Sequence, residues 1–122
     1  MIKDRRKGSD RRAETRYSAQ IEIKWDTLQN GGAQSSGVIN DISETGCFVL
    51  CSGAVTNGET VKLYLPARRQ QTVVFQAEVI NHVDEIGFAA RFIELGYIER
   101  TFLERVIASL EQTDKQTDGA GQ

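Results

Sequence analysis

Five arginines and two lysines crowd into the first sixteen residues (Lys3, Arg5, Arg6, Lys7, Arg11, Arg12, Arg16), against three acids, Asp4, Asp10 and Glu14. Arg12 and Arg16 stand four apart, with Arg11 immediately before the pair. A guanidinium presents a planar fork of donors that fits two phosphate oxygens, or the O6/N7 edge of guanine, in a way that the point charge of lysine does not. The bias toward arginine therefore favours directional recognition over plain charge attraction. A second set of polar residues lies in DISETG, residues 41–46. Alternation at a strand end puts Asp41 and Ser43 on one face. There the carboxylate can accept from the N1-H and N2-H of a guanine while the hydroxyl donates to a phosphate. Gly46 allows either a positive φ or the close approach of another group to the backbone. Asp, Ser, Thr and Gly are also the residues of an ordinary strand-to-turn transition, so the segment alone leaves both readings open.

Other chemistries lack their parts. The single histidine, His82, has no Ser or Asp beside it in sequence, and its place on the polar face of a strand fits an exposed structural residue. No glycine-rich loop ends in Lys-Ser/Thr. The chain is therefore expected not to be an enzyme. Cys47 and Cys51 on one strand would be roughly 13 Å apart, too far for a disulfide. One histidine and two cysteines leave a four-ligand zinc site without donors, so neither metal nor cofactor is expected.

The formal net charge of −2 over 122 residues hides an asymmetry. Residues 1–16 carry +4 and the remaining 106 carry −6. An acidic body is a poor partner for extended nucleic acid, whereas a compact basic arm suits a small dianion. No apolar stretch approaches the ~18 residues of a membrane span and no apolar segment follows the basic N-terminus, so a cytoplasmic protein without membrane insertion is expected.

The elements that must position these residues are legible from periodicity. Ile21, Ile23 and Trp25 alternate with polar residues, and a turn is expected at Asn30, Gly31 and Gly32. A second strand runs from about Gly37 to Ile42. A third, Cys47 to Cys51, is apolar on both faces, as for a strand packed on two sides, and Asn57-Gly58 marks the following turn. Val61, Leu63 and Leu65 form a fourth. In the fifth, Val73, Phe75, Ala77, Val79 and Val83 share a face, and in the sixth Ile86, Phe88, Ala90 and Phe92 do. Ile98, Phe102, Leu103, Val106, Ile107 and Leu110 then fall at helical spacing, predicting one amphipathic helix of about four turns. Six strands in succession with no helix between them predict an all-β core, a six-stranded antiparallel barrel. The expected organisation is a flexible basic arm (1–18), barrel plus C-terminal amphipathic helix (19–112), and a disordered tail (113–122).

RAETR, residues 12–16, and DISETG, residues 41–46, separated by one strand and one hairpin loop, with IGFAARF later, resemble the PilZ domain family of bacterial cyclic di-GMP receptors. The likeness covers about residues 5–110, with RAETR matching the R-x-x-x-R element and DISETG the D/N-x-S-x-x-G element. The resemblance implies that Arg12 and Arg16 grip the ligand's phosphates and guanine edges. It implies that Asp41 and Ser43 bind guanine and neighbouring polar groups, and that Gly46 keeps the strand end accessible. Arg11 occupies the position where an arginine is associated with a stacked, intercalated ligand dimer. The implied function is a cyclic di-GMP-binding receptor and adaptor, a second-messenger effector that changes conformation on binding and signals to an unidentified downstream partner protein. The competing reading is a small β-barrel that uses its basic arm on RNA or DNA. The acidic body opposes it, as does the placement of Trp25 on the apolar face, away from any stacking platform.

Overall fold

In a computed structural model the protein is described over residues 15–27 and 33–120, with side chains described as far as residue 112. The expected arm before Thr15, with Arg11 and Arg12, and the turn at Asn30–Gly32 lie outside the described residues. Six strands follow one another: β1 (Tyr17–Thr27), β2 (Ser35–Ile42), β3 (Gly46–Leu50), β4 (Thr60–Pro66), β5 (Thr72–Val83) and β6 (Gly87–Ile93). Every neighbouring pair is antiparallel, and the order β1-β2-β3-β6-β5-β4 closes on itself through β1 and β4. Closure leaves no unpaired edge among these strands. A single helix, α1 (Tyr97–Ala120), ends the chain.

Alternation fills the barrel. Ile23 and Trp25 from β1, Ile39 and Ile42 from β2, Cys47 and Val49 from β3, Leu63 from β4, Phe75 from β5 and Phe88 from β6 are all buried. The Trp25 indole meets the Phe88 ring edge-on at 5.2 Å and gives its N–H to the Ser36 carbonyl, so its one polar atom is satisfied inside the core. Leu103 and Ile107 of α1 join the same cluster, which places the helix on the barrel as its amphipathic pattern predicted.

Four expectations are corrected. The third strand does not pack on two sides: Cys47 and Val49 are buried, while Phe48 is half-buried and Leu50 is 37% exposed. Its second apolar face is the outer wall of the barrel. Val83 and Ile86 do not join the buried faces of their strands; they are 45% and 53% exposed. The register of β5 on β6 shifts between Val79 and Asn81, and the bulge turns over the alternation beyond it, while Ile86 lies in the turn before β6. The helix is longer than four turns, continuing through residues 113–120, which were expected to be disordered. Once nucleated on packed turns, a helix gains one hydrogen bond for each further residue fixed. Finally, β1 begins at Tyr17, one residue past Arg16, and Tyr17 and Ser18 already pair with Ile42 and Asp41. This pairing brings the two sequence features together.

Candidate functional site

Ser18 and Asp41 are Cα partners across β1 and β2, so a residue just before β1 lies beside the Asp41 carboxylate. Arg16 is that residue. Its Nε and its Nη2 are each 3.0 Å from Asp41 Oδ1, and the two side chains keep 43% and 32% of their surface exposed. Two guanidinium donors thus converge on one carboxylate oxygen. A carboxylate has about four acceptor sites, so Asp41 keeps capacity for a further donor while its charge is neutralised by Arg16.

The structure separates Asp41 from Ser43, against the expectation that they share a face. β2 ends at Ile42, and the chain turns there, so strand alternation no longer applies. Ser43 is fully buried. Its Oγ accepts from the backbone N–H groups of Thr45 and Gly46, both at 3.2 Å, and lies 3.3 Å from the Gly46 carbonyl, while its own N–H donates to that carbonyl at 2.8 Å. The hydroxyl organises the turn from within. Thr45 then accepts the Phe92 N–H, which fastens the turn to the end of β6.

Of the two roles open to Gly46, close approach is the one used. A Cβ there would collide with the carbonyl oxygen of Ala90 on β6, whereas positive φ among the described glycines occurs at Gly58 and Gly87. Gly46 is paired with Arg91, and Arg91 reaches across to Glu78 on β5 at 3.3 Å. The outcome is a shallow cavity of about 440 Å³ with Arg16 and Arg91 contributing guanidinium groups and Gly46, Ala89, Ala90 and Ile80 giving small or apolar surface. Two donor forks beside a low apolar floor can hold an anionic group and lay a planar ring against the barrel wall.

Arg16, Asp41 and Gly46 are therefore brought together, Ser43 supports them from beneath, and Arg11 and Arg12 lie outside the described residues. Arg91, Ile80 and Ala89 were not singled out from sequence. The available signal was the outward phase of IGFAARF, where Ala89 and Arg91 alternate with the buried Phe88, Ala90 and Phe92.

Cys47 lies on the inner side of the same strand end. Burial pushes its thiol from 9.0 up to about 12, with the Asp41 charge adding to the effect and Arg16 opposing it. Burial also raises the half-buried Cys51. Because the thiolate is the reactive form, a thiol reagent at pH 8 should label Cys51 faster, and one of two equivalents should stay protected until denaturant is added. Prompt labelling of both would show that β3 opens readily. His82, beyond the β5 bulge and less exposed than its neighbours Asn81 and Val83, contacts Asn57 Oδ1 through Nδ1 at 2.7 Å and lies 3.7 Å from Asp84. Among the described residues no three His, Cys, Asp or Glu side chains converge as a metal site. No described helix is long and apolar enough to cross a membrane.

The architecture is thus a closed antiparallel β-barrel capped by one helix, with an arginine–carboxylate pair where β1 begins. A sequence model of the PilZ domain matches residues 10–109, and the chain belongs to that family. No curated protein matches it by sequence. Solved structures share its fold. The PilZ domain of YcgR from Escherichia coli, determined with c-di-GMP, is 17% identical, with 86% of this chain and 95% of that one covered and a TM-score of 0.68. The PilZ domain of CeSA from a cellulose-synthesizing bacterium is 18% identical, covering 80% and 98%, with a TM-score of 0.63. The MrkH–c-di-GMP complex of K. pneumonia is 16% identical with a TM-score of 0.66; the match covers 84% of this chain and 52% of MrkH.

Proposed function

We propose that this chain is a non-catalytic receptor for cyclic di-GMP that changes conformation on binding and signals to a partner protein. The observation that carries the reading is the Arg16 guanidinium, held by Asp41 near a cavity floored by Gly46 and Ala90. A dianionic dinucleotide would be repelled by a bare carboxylate; paired with Arg16, Asp41 instead offers a guanine its acceptor. In this reading Arg12 adds a second fork from the arm, and Arg11 favours a stacked ligand dimer. Ser43 contributes by fixing the turn that sets Asp41 and Gly46. Membership of the PilZ family and the c-di-GMP bound to YcgR and MrkH support the choice of ligand.

A route outward starts one residue after the clamp. The Tyr17 hydroxyl donates to Glu111 Oε2 on α1 at 2.8 Å, and this contact supports a coupling between the root of the arm and the helix. Such coupling requires that the ligand bind one position of the arm better than another.

Titration calorimetry with cyclic di-GMP tests the reading, with GTP and a short oligonucleotide as controls. Saturable binding of cyclic di-GMP alone is expected, at two ligands per chain if Arg11 supports a dimer. An absence of heat with cyclic di-GMP removes the reading, and binding of the oligonucleotide alone favours nucleic acid.

A further inference from the structure

On the wall formed by β1 and β4, away from the clamp, a groove of about 360 Å³ runs between the barrel and α1. Ile21, Leu65 and Pro66 form its barrel side, Phe102 and Val106 its helix side, and Arg68 its end. The lining is almost wholly apolar, and Ile98, one helical turn before Phe102, extends the ridge with 67% of its surface exposed.

The charge around this groove is opposite in sign to that of the body. Arg68 and Arg69 sit at the tip of the β4–β5 connection, both exposed. Arg69 and the following Gln70 are held at φ 59° and 62°, and hydrogen bonds from Ala67 N to Gln71 O and from Gln71 N to Arg68 O close the loop. Arg105 borders the same ridge, three residues after Phe102. Three of the eight bases that follow residue 16 thus gather here, although that part of the chain is −6 overall. Among the described residues none of the three pairs with a carboxylate. The helix stripe Ile98, Thr101, Phe102, Arg105, Val106, Ser109 carries no acid; Glu99, three residues before Phe102, is half-buried with its carboxylate beside Gly96, and Glu104 and Glu111 lie beside a different cavity with Arg100. An apolar slot rimmed by unneutralised arginines complements a helix with an apolar stripe and acidic flanks.

We infer that this groove is a docking site for an acidic amphipathic helix of a partner protein. The inference names the output surface of the proposed receptor and rests on that reading only for its regulation; the docking itself needs no dinucleotide. Helix α1 forms one wall, and its tie to Tyr17 places that wall under the influence of the clamp.

Amide NMR shifts of the full chain provide the test. The probe is a synthetic peptide of about 15 residues, near the length at which isolated helices become populated, with leucines at i, i+3, i+4 and i+7 and glutamates between them. It should shift amides of residues 65–70 and 98–106. A peptide of the same composition with its leucine spacing scrambled should not. Arg68→Glu combined with Arg69→Glu should weaken binding at least about tenfold, and Ile98→Gln, at an exposed position, should weaken it without altering the fold. Shifts confined to the basic N-terminal segment, equal binding of the scrambled peptide, or no shift at the groove would each overturn the inference. Cyclic di-GMP titrated alone reports separately at Arg16 and Asp41. Peptide binding without dinucleotide binding sinks only the receptor reading, and the reverse sinks only the docking site.

Discussion

Arg16→Ala should weaken cyclic di-GMP binding by about 1–3 kcal/mol, roughly five- to 150-fold, the range for loss of a good bidentate arginine contact. The same change should leave the melting midpoint nearly unmoved. The Arg16–Asp41 pair is 43% and 32% exposed, and ion pairs this open to solvent contribute about 0–1 kcal/mol to folding. The clamp is therefore valuable to a ligand and dispensable to the barrel, and the two measurements together discriminate a binding role from a structural one. Arg16→Lys sharpens the distinction. It retains the charge and removes the fork, so substantial recovery of affinity would mean that charge alone is read and would undercut guanine or phosphate recognition by geometry. Asp41→Asn should relax the preference for guanine, because an amide presents one acceptor oxygen where the carboxylate presents two, and it leaves Arg16 unneutralised. Calorimetry with the three variants, beside a thermal melt of each, checks these expectations. Unchanged affinity for both Arg16→Ala and Asp41→Asn would place the site elsewhere on the molecule.

Much of this arrangement is legible in the residues because the barrel obeys a simple period. Where one face is buried, a strand repeats every two residues, and the alternation of Ile21, Ile23 and Trp25 or of Val73, Phe75, Ala77 and Val79 fixes which way each strand faces. The failures occur where a local event interrupts that period. A bulge after Val79 changes the phase of β5, and pattern counting carries Val83 onto the wrong side. Likewise the end of β2 at Ile42 sends Ser43 inward, although spacing alone puts it beside Asp41. The outward Phe48 and Leu50 show that apolar composition does not establish burial. Arg91 illustrates a different kind of gap. The local alternation of β6 sends it outward, but its place beside Gly46 depends on β3 pairing with β6, some 45 residues away in sequence. A two-residue separation can be read from a pattern, but the closure of a barrel is a long-range fact.

Gly46→Ala tests that closure directly, with an expected destabilisation of about 1–3 kcal/mol, the usual range for overpacking. The glycine is not required by a left-handed backbone, since Gly46 is absent from the positive-φ residues. Its constraint is the Ala90 carbonyl oxygen, which occupies the space a Cβ would take. That oxygen belongs to the backbone of β6 and cannot rotate aside as a flexible side chain would. The methyl group must push β3 from β6, straining the ladder beside the Gly46–Arg91 pair and the turn that Ser43 holds. At this domain size each kcal/mol lowers the melting midpoint by about 4–8 °C, so the effect is readily measured by thermal denaturation. Gly58 supplies a control with the opposite cause. It lies at φ +88° with open space around its Cβ direction, so any substitution there meets backbone strain without collision, and Gly58→Asn should cost less than Gly58→Ala because asparagine tolerates the left-handed region better. Separation of the strands at Gly46 would also tilt the floor between Arg16 and Arg91, so affinity for cyclic di-GMP should fall even at temperatures where Gly46→Ala remains folded. A variant with an unshifted melting midpoint would show that β3 does not lie against Ala90 as described, and the cavity built on that contact would lose its floor.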